Sequence, residues 1–515
     1  MFCDMQAPRL SLALSRSAEP GYPSRLSHRS GVGTIANPSL RLPRFHRACP
    51  STALDESAVR RQYNTENLPG QIDARGGPPQ RHAGAGQAHR VAGFGSVQRV
   101  DALEASRQIY RQLTRLGTAT PPAMRAWTGE LFGPDDAHAT LVLRHPGSLR
   151  ALLDPLTDLT SGEAYLYDDV DVEGSMLAVM EFGDFLAGDH RHRLRHLQLA
   201  RLIRHLPEGY RRDEAVRPVM PGRLHSPPRD RRAVTYHYDV GNDFFSLFLD
   251  PQMVYSCAYY LDPTEGLDKA QARKLDLICR KLELAPGQQF LDVGCGWGAL
   301  VNHAAANYGV EATGITLSRP QAEMARQRAR QLGLEDRVTV LEADYREVKG
   351  NFDAIASVGM FEHVGRRRLA EYFRRLKKLL NPGGQLLNHG IVTRQPQPTK
   401  KPSFIGTYVF PDKDLVTVDT TISVAEGAGF ELRDAENLRQ SYALTLRHWV
   451  ENLEANATRA VALSDERTFR IWRLYMAGSA VAFGNASIAV WQLVLSDPAR
   501  PWRYGRRRQL AVDDS

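Results

Sequence analysis

An apolar segment that runs into a glycine-rich turn restricts the fold of this chain more than any other feature. Residues 289–298 read QFLDVGCGWG, and the segment Ala299–Tyr308 that follows is predicted to be a helix. Glycine is needed where a backbone turns sharply and approaches a ligand, because a Cβ would obstruct both. A strand, such a turn and a helix, in this order, indicate an α/β fold that binds a nucleotide at the amino end of the helix.

The spacing within the turn favours one class of nucleotide over another. Gly294 and Gly296 form a GxGxG pattern where dinucleotide folds have GxGxxG, and Asp292 precedes them at the end of the strand. The next strand, Val310–Ile315, ends without the acid that holds a ribose in NAD-binding folds. These departures argue against a dinucleotide.

Polar residues after the second and third strands can take over from that acid. Thr316 and Gln321 follow the second strand and can supply hydroxyl and amide hydrogen bonds. A third strand, Val338–Leu341, leads to Asp344 and Tyr345, which we assign to the adenine side of the ligand. Taken alone, Asp344 fits equally well as a loop acid that caps a helix.

Composition divides the chain into five segments. Residues 1–95 are rich in Pro, Gly, Ser and Arg and are predicted to be disordered, because they bury too little apolar surface to offset their ordering entropy. Their start superficially resembles a transit peptide, but prolines interrupt any amphipathic helix, and an extended or mis-assigned start explains it better. We predict a smaller α+β domain over 96–215, a linker over 216–232, an α/β domain over 233–500 and a basic tail over 501–515.

Three patterns mark the predicted N-terminal domain. Ala102–Leu116 has helical spacing, Ala139–Leu143 reads as a strand, and Gly162–Asp169 is interpreted as a turn-rich acidic segment. The basic segment Asp189–Leu206 places apolar residues roughly on one face and arginines on the rest. It fits a helix on an anionic membrane surface, or an ordinary amphipathic helix docked on its own domain.

Charge and cysteine content limit the compartment and the partners. The net charge of +8 suits an anionic surface of lipid or nucleic acid, or simply a solvated basic surface. No recognised nucleic-acid module is present, so nucleic acid is not a predicted partner. The five cysteines form no CxxC pair, which predicts a reducing cytoplasm without a zinc cluster. The histidines at 190, 192 and 196 lack further ligands nearby, so no metal site is predicted.

Three further segments resemble one family when they are taken together with LDVGCGWG. They are YHYDVGNDFF at 236–245, YSCAYY at 255–260 and GMFEHVG at 359–365. The chain from about Val234 to Asp497 closely resembles the cyclopropane fatty acid (mycolic acid) synthase family. GEAY at 162–165 resembles part of the N-terminal lipid-binding domain of its phospholipid-acting members. The resemblance implies an α/β class I methyltransferase fold, Rossmann-like, with a seven-stranded sheet and a helical, lipid-facing insertion.

The resemblance also implies two ligands and the residues that hold them. S-adenosylmethionine is bound in this family by a set that corresponds here, with Asp292 of the strand end, to Tyr255, Ser256, Gly294, Gly296, Thr316, Gln321, Asp344, Tyr345 and Val358. Bicarbonate is held beside the methyl group by backbone at Cys257 and Ile391 and by the side chains of Glu362, His389 and Tyr442.

Methylation of an alkene explains why such groups are needed. An isolated double bond offers only its π electrons to a sulfonium methyl group, so alignment and stabilisation of a carbocation govern the barrier. Ring closure then needs a base, and bicarbonate fits that role. Five aromatic residues are candidates for facing the cation, although such residues usually form core: Phe244, Phe245, Tyr259, Tyr260 and Phe361. Glu362 has a second interpretation, as a carboxylate at the start of the predicted helix Arg366–Leu380.

Two long helical segments, Tyr442–Leu453 and Thr468–Phe483, are predicted between the sixth strand, Phe430–Arg433, and the last, Ser487–Leu495. The second contains the small residues Gly478, Ala480 and Ala482. They either leave a tunnel for an acyl chain or let helices pack closely.

These patterns lead to one expected function with alternatives. The chain is expected to be a cyclopropane-fatty-acyl-phospholipid synthase that acts at the inner face of the membrane on unsaturated phospholipid, with a homodimer possible. A close variant leaves a methyl branch, and some relatives of this scaffold methylate small amines. A non-catalytic membrane-associated protein is the alternative from a different class.

Overall fold

The computed structural model describes residues 101–115, 120–188, 193–208, 217, 218, 220–395 and 402–501. The predicted disordered segment 1–95 and, beyond Pro501, the predicted basic tail lie outside the described residues. His190 and His192 also lie outside them.

The N-terminal part is a small α+β unit. A four-stranded sheet in the order β2-β1-β3-β4 packs against helices. The elements in chain order are α1 (Ala102–Thr114), β1 (Ala123–Arg125), β2 (Leu131–Phe132), β3 (Ala139–Leu143), α2 (Ser148–Leu153), α3 (Asp158–Leu166), β4 (Val170–Gly174), α4 (Met176–Gly188) and α5 (Arg193–His205).

The prediction of turns over Gly162–Asp169 was wrong for its first half, because α3 runs to Leu166. The Thr157 hydroxyl accepts a hydrogen bond from the amide of Thr160 and begins this helix. Gly162 is in the helix for a packing reason, since a Cβ there would lie 2.3 Å from the ring of Phe404. Gly162 is therefore explained by a tertiary contact with Phe404, whereas the sequence analysis interpreted it as part of a turn.

The basic segment docks on its own domain where its side chains are described. Helix α5 packs against α1 and α2, and Ile203 and Leu206 are buried in the core. Arg201 and Arg204 remain exposed. No helix in the described ranges is both long and apolar enough to cross a membrane.

The rest of the chain forms the predicted class I methyltransferase fold. Its first half comprises α6 (Pro227–Tyr238), α7 (Asn242–Phe245), α8 (Leu267–Lys281), β5 (Gln289–Val293), α9 (Ala299–Tyr308), β6 (Glu311–Thr316), α10 (Arg319–Gln331), β7 (Val338–Glu342) and β8 (Phe352–Val358). Its second half comprises α11 (Leu369–Leu379), β9 (Leu380–Thr393), α12 (Phe404–Tyr408), α13 (Val418–Gly427), β10 (Glu431–Asn437), α14 (Arg439–Ala455), α15 (Ala457–Leu463), α16 (Glu466–Gly484) and β11 (Ile488–Ser496).

The seven strands lie in the order β10-β11-β9-β8-β5-β6-β7. Strand β11 is antiparallel to both of its neighbours, whereas β5 to β9 pair in parallel. The carboxyl ends of β5 to β9 consequently meet at one edge of the sheet. Strands β5 and β8 at the centre of the sheet are largely buried, because both faces of the sheet are covered there.

Two boundaries differ from the predictions. The stretch predicted as a linker, 216–232, contains the start of α6 at Pro227, because proline is well tolerated in the first turn of a helix. The sixth strand of the sheet, β10, continues to Asn437, four residues further than predicted. Its charged residues are compatible with a strand because Asp434 and Glu436 pair with Lys281.

The insertion helices α14 and α16 pack closely and join the N-terminal part. Ala480 and Ala482 are buried, and a Cβ on Gly478 would lie 3.4 Å from the Met180 side chain of α4. At Gly478 the small residue therefore lets α16 pack closely on α4. One apolar core runs from the N-terminal sheet through α16 to the site described below.

Candidate active site

A cavity of about 200 Å³ lies where β5, β6, β7 and β8 end. Its lining includes all ten residues that the sequence assigns to the cofactor: Tyr255, Ser256, Asp292, Gly294, Gly296, Thr316, Gln321, Asp344, Tyr345 and Val358. The five residues before the glycine turn form β5 with Phe290 and Leu291 fully buried. The cavity therefore opens at the amino end of α9, as the strand–turn–helix pattern predicts.

The glycine turn has the conformation that its sequence requires. Gly294 and Gly296 have φ values of +87° and +54°, which residues with a Cβ rarely adopt. Beside the turn, Asp292 is buried and its Oδ1 has no hydrogen-bond partner among the described residues. Burial raises the pKa of Asp292 to about 7, and the nearby Lys274 acts in the opposite direction.

The polar residues after β6 form a connected group. Thr316 Oγ1 donates to Gln321 Oε1 at 2.8 Å and accepts from the Ser318 amide at 3.1 Å. The hydroxyl and amide predicted to replace an acid thus orient each other, with Gln321 in the first turn of α10.

Asp344 is tied to the helix that borders the cavity. Its carboxylate accepts hydrogen bonds from the backbone and the guanidinium of Arg346, at 2.6 to 2.9 Å. Arg346 in turn donates to Asp230 of α6 at 2.9 Å. Asp344 therefore connects the carboxyl end of β7 to α6, and it caps no helix.

Glu362 and His389 are buried beside the cavity with unsatisfied polar atoms. They are 7% and 1% exposed, and neither Glu362 Oε2 nor His389 Nε2 has a partner in the described ranges. Glu362 lies in the 3-10 turn Phe361–His363, whereas α11 begins at Leu369, so it does not belong to the first turn of that helix. A buried polar group without a partner is costly, which points to a ligand that supplies one.

The neighbours of His389 fix its protonation. Burial lowers the pKa of His389 to about 3, so the ring is neutral at physiological pH. Gln492 Nε2 lies 3.3 Å from His389 Nδ1. The Gln492 side chain therefore determines which ring nitrogen carries the proton. Glu362, with a pKa that burial raises to about 7, presents an acceptor when ionised.

Cys257 and Tyr442 meet at the start of α14. The Cys257 thiol donates to the Leu438 carbonyl at 3.6 Å, and the Tyr442 amide bonds to the same carbonyl at 3.0 Å. Burial raises the pKa of both side chains, so the thiol stays protonated and the phenol remains a donor. A protonated, buried thiol is no nucleophile, in agreement with the backbone role assigned to Cys257.

Glu362 and Tyr442 lie within electrostatic range of each other. The charge of Glu362 contributes to the raised pKa of Tyr442, of Tyr475 and of Tyr238, and the Ile391 backbone hydrogen-bonds the Glu362 carboxyl. Glu362, Ile391 and Tyr442 therefore lie near one another, and Cys257 shares the Leu438 carbonyl with Tyr442.

Gly390 explains why the residue next to His389 is so small. An added Cβ would lie 2.0 Å from the ring of Phe361 and 3.0 Å from Glu362 Oε2. Only glycine lets the turn that carries Glu362 approach β9 this closely. Asn388, on the other side of His389, is also fixed, because its side-chain oxygen accepts a hydrogen bond from the Tyr372 hydroxyl at 3.1 Å.

The aromatic residues proposed to face a cation pack elsewhere. Phe244 and Phe245 are fully buried in the core cluster, Tyr259 donates to Glu436, and Tyr260 stacks on His448. None of these or Phe361 lines the described cavity. Phe244 and Phe245 stack with Trp472 of α16, and the Phe361 ring packs on β9 at Gly390. Sequence spacing does not reveal such contacts.

Sequence reasoning missed several residues that do line the cavity: Lys274, His237, Tyr238, Trp297 and Phe410. The signal for His237 and Tyr238 was present in the YHYDVGNDFF segment, and Trp297 is part of the glycine turn itself. His237 stacks on Phe410 with ring centroids 4.2 Å apart. Phe410 follows α12 in a segment without any local pattern that indicates a site.

The family model described as Mycolic acid cyclopropane synthetase matches residues 225–493, the region that contains the cavity and both groups of site residues. The chain belongs to this family. It is an S-adenosylmethionine-dependent methyltransferase of the cyclopropane synthase type.

The chain is similar to named relatives over half to three quarters of its length. It is 38% identical over 386 residues to the "Probable fatty acid methyltransferase" of Pseudomonas putida, covering 73% of this chain and 92% of the relative. It is 41% identical over 260 residues to the "Cyclopropane-fatty-acyl-phospholipid synthase" of Escherichia coli, covering 50% of this chain and 66% of that one. Among solved structures, mycolic acid cyclopropane synthase CmaA1 complexed with SAH and CTAB superposes with a TM-score of 0.50 and 34% identity, over 52% of this chain and 98% of that structure.

Proposed function

We propose that this family member converts an unsaturated phospholipid acyl chain into its cyclopropane derivative, with bicarbonate as the base. The carrying observation is that Glu362 Oε2 and His389 Nε2 are buried without a hydrogen-bond partner among the described residues, next to Gly359 and Met360 of the glycine-turn cavity. A small anion that carries both a hydroxyl and free oxygens matches that pair.

The cavity orients the methyl donor. S-adenosylmethionine, when bound, supplies an electrophilic methyl group on a sulfonium. Its nucleoside end fits the polar group of Thr316 and Gln321 and the edge at Asp344, and its amino-acid end fits the glycine turn beside Asp292. Tyr255 stacks on Trp449 with ring centroids 5.1 Å apart and bonds to the Tyr475 hydroxyl, so this side of the cavity is rigid.

Methyl transfer to an alkene leaves a positive charge on carbon without hydrogen-bonding capacity. Aromatic faces stabilise such a charge, and the rings of Tyr238, Trp297 and Phe410 line the cavity. The π electrons form the new carbon–carbon bond as the methyl–sulfur bond breaks. Ring closure then forms a second bond as one proton leaves the transferred methyl group.

Five groups of this chain suit a bound bicarbonate, which supplies the base for that proton. The ionised Glu362 accepts its hydroxyl hydrogen, and His389 Nε2–H and the Tyr442 hydroxyl donate to its oxygens. The backbone at Cys257 and Ile391 completes the set, and Ile391 also orients the Glu362 carboxyl. Together these contacts hold a base of suitable strength.

A methyl-branched product is the second candidate. The Pseudomonas putida relative, of which the chain covers 92%, is named a fatty acid methyltransferase. Methyl transfer is identical in the two reactions, and only the fate of the carbocation differs.

Incubation of the full chain with vesicles of unsaturated phospholipid and methyl-labelled S-adenosylmethionine tests the proposal. NMR of the extracted lipid is expected to show cyclopropane ring protons. A new branched methyl signal would support the second candidate. Label in an added amine and in no lipid would contradict both.

Removal of bicarbonate provides a separate test. In buffer freed of dissolved carbon dioxide, the rate with the same vesicles is expected to fall at least about tenfold and to recover on addition of bicarbonate. A rate that does not respond to bicarbonate would contradict its role as base while leaving methyl transfer intact.

We also propose that the protein works at the inner, anionic face of the cytoplasmic membrane. Arg201 and Arg204 on α5 and Arg366 and Arg367 near the cavity are exposed, and such side chains attract anionic headgroups. Sedimentation with anionic vesicles is expected to be strong at low salt and weak at high salt, with little binding to oligonucleotides. Equal sedimentation with neutral vesicles would contradict the electrostatic part.

A further inference from the structure

Lys274 is a buried lysine of α8 whose role is not explained by the reaction described above. It is 1% exposed and lines the cavity. Its ammonium donates to the Ser256 hydroxyl at 2.8 Å. Among the described residues, this is the hydrogen bond that the ammonium makes, which leaves two of its three N–H groups for another acceptor.

A second lysine on the same helix shows what a structural buried lysine looks like. Lys281 is 2% exposed and pairs with Asp434 at 3.0 Å and with Glu436 at 2.5 Å. Lys274 forms no such pair with any carboxylate of the described ranges. Because burial of a charge without a partner is costly, the contrast points to an anionic partner that is supplied from outside the chain.

An unpaired acid borders the same cavity. Asp292 is 3% exposed, its Oδ1 has no described partner, and its charge and that of Lys274 influence each other. Burial lowers the pKa of Lys274 to about 8 while Asp250, Cys257 and Asp292 act in the opposite direction, so the amine remains largely protonated at neutral pH. The cavity therefore has a positive and a negative group near the glycine turn.

We propose that Lys274, together with the Ser256 hydroxyl that it orients, binds the carboxylate of the amino-acid end of S-adenosylmethionine, opposite Asp292, which binds its ammonium. This inference rests on the proposed placement of the amino-acid end at the glycine turn. In this proposal Lys274 recognises the carboxylate, one of the two charged groups at the amino-acid end. The site therefore binds the cofactor in preference to nucleosides and amines that lack a carboxylate.

Two ligands that differ in one group test the proposal. S-adenosylhomocysteine has the carboxylate, and its decarboxylated analogue retains the nucleoside, the sulfur and the amine. Titration calorimetry on the wild type is expected to show about 30-fold or more tighter binding of S-adenosylhomocysteine, as for a lost charge-assisted hydrogen-bond pair. In Lys274→Met this preference is expected to fall to about threefold or less, through weaker binding of S-adenosylhomocysteine alone.

Control variants separate binding from structure. Lys281→Met removes a buried lysine from the same helix outside the cavity and is expected to keep the wild-type preference. Lys274→Arg keeps the charge and is expected to retain most of it, which maintains the test if Lys274→Met fails to fold. The proposal would be overturned if Lys274→Met weakened the binding of both ligands equally. It would also be overturned if Lys274→Met bound both ligands as tightly as the wild type while Lys274→Arg lost the preference.

The same data separate this inference from the proposed function. A wild type that binds neither ligand would contradict the cofactor site as a whole. A wild type that binds both ligands equally would contradict only the carboxylate role of Lys274.

Discussion

Burial shifts the pKa values of Glu362 and His389 in opposite directions, and in both cases it favours the neutral form. It raises the pKa of the carboxyl group to about 7 and lowers that of the imidazole to about 3. At neutral pH the site therefore contains a neutral histidine and a carboxyl group close to its midpoint. Catalytic sites often contain groups with perturbed pKa values, and the raised pKa lets Glu362 bind a proton near neutral pH, where an isolated carboxyl group would be ionised.

Glu362→Gln is expected to lower turnover at least about 100-fold, because the amide cannot accept the hydrogen of a bound base in the same way. The affinity for S-adenosylhomocysteine is expected to change by less than about threefold. Radiolabel transfer and calorimetry measure the two effects, and Glu426→Gln, an exposed change on α13, is the control. Loss of cofactor binding would contradict the role given to Glu362.

The same substitution is expected to affect stability in a pH-dependent way. The folded pKa of Glu362, about 7, exceeds its ordinary value of 4.5, so folding favours the protonated form. Its contribution to stability is full below pH 4.5 and is lost as the pH rises through 7. Glu362→Gln, which is neutral at every pH, should gain up to about 3 kcal/mol in unfolding free energy relative to the wild type at pH 8, and nothing at pH 4.5. Urea unfolding at both pH values measures this difference, and a difference that does not vary with pH would contradict it.

At the level of elements, the distance between the Phe361–His363 turn and β9 depends on one glycine. Gly390→Ala would place a methyl group 2.0 Å from Phe361 and is expected to displace the turn with its carboxylate. We expect turnover to fall at least about tenfold, with a loss of about 1–3 kcal/mol in stability. Gly266→Ala, where nothing lies within 4 Å of the new Cβ, is the control for activity and thermal unfolding. Unchanged turnover in Gly390→Ala would show that the position of the turn is not critical.

The elements that could be predicted from the sequence are those whose residues follow one another along the chain. The glycine-turn part of the cofactor site could be predicted because β5, its turn and α9 are consecutive, so the order of their residues determines their geometry. The bicarbonate set comes from four distant places, at Cys257, Glu362, His389 and Tyr442, and only the family resemblance connected them. Lys274 was missed because a lysine on an amphipathic helix normally faces water, and its burial results from tertiary packing.

At the level of the whole molecule, the N-terminal part and the methyltransferase fold are joined by α16. Arg473 donates to Glu454 at 2.7 Å and to the carbonyls of Val172 and Gly174, the end of strand β4. A buried guanidinium that satisfies strand carbonyls ties the two parts together. Its removal takes a donor from both carbonyls and leaves Glu454 with the amide of Met176 alone among the donors described.

Arg473→Met is expected to lower the unfolding free energy by about 3 kcal/mol for this reason. Arg447→Met is the matched control, because Arg447 also reaches the N-terminal part, through Glu181, but both side chains are more than two-fifths exposed. Its cost should be about 1 kcal/mol or less. Thermal unfolding of both variants measures the contrast, and equal costs would contradict the importance of burial.

Helix α16 also carries Tyr475, whose hydroxyl lies 3.3 Å from that of Tyr255 in the cofactor cavity. Two residues earlier along the same helix is the guanidinium that holds the end of β4. One turn of α16 thus contacts both the small sheet and a tyrosine that lines the cofactor cavity. A displacement of this turn would move both contacts together, because its backbone is a single hydrogen-bonded unit.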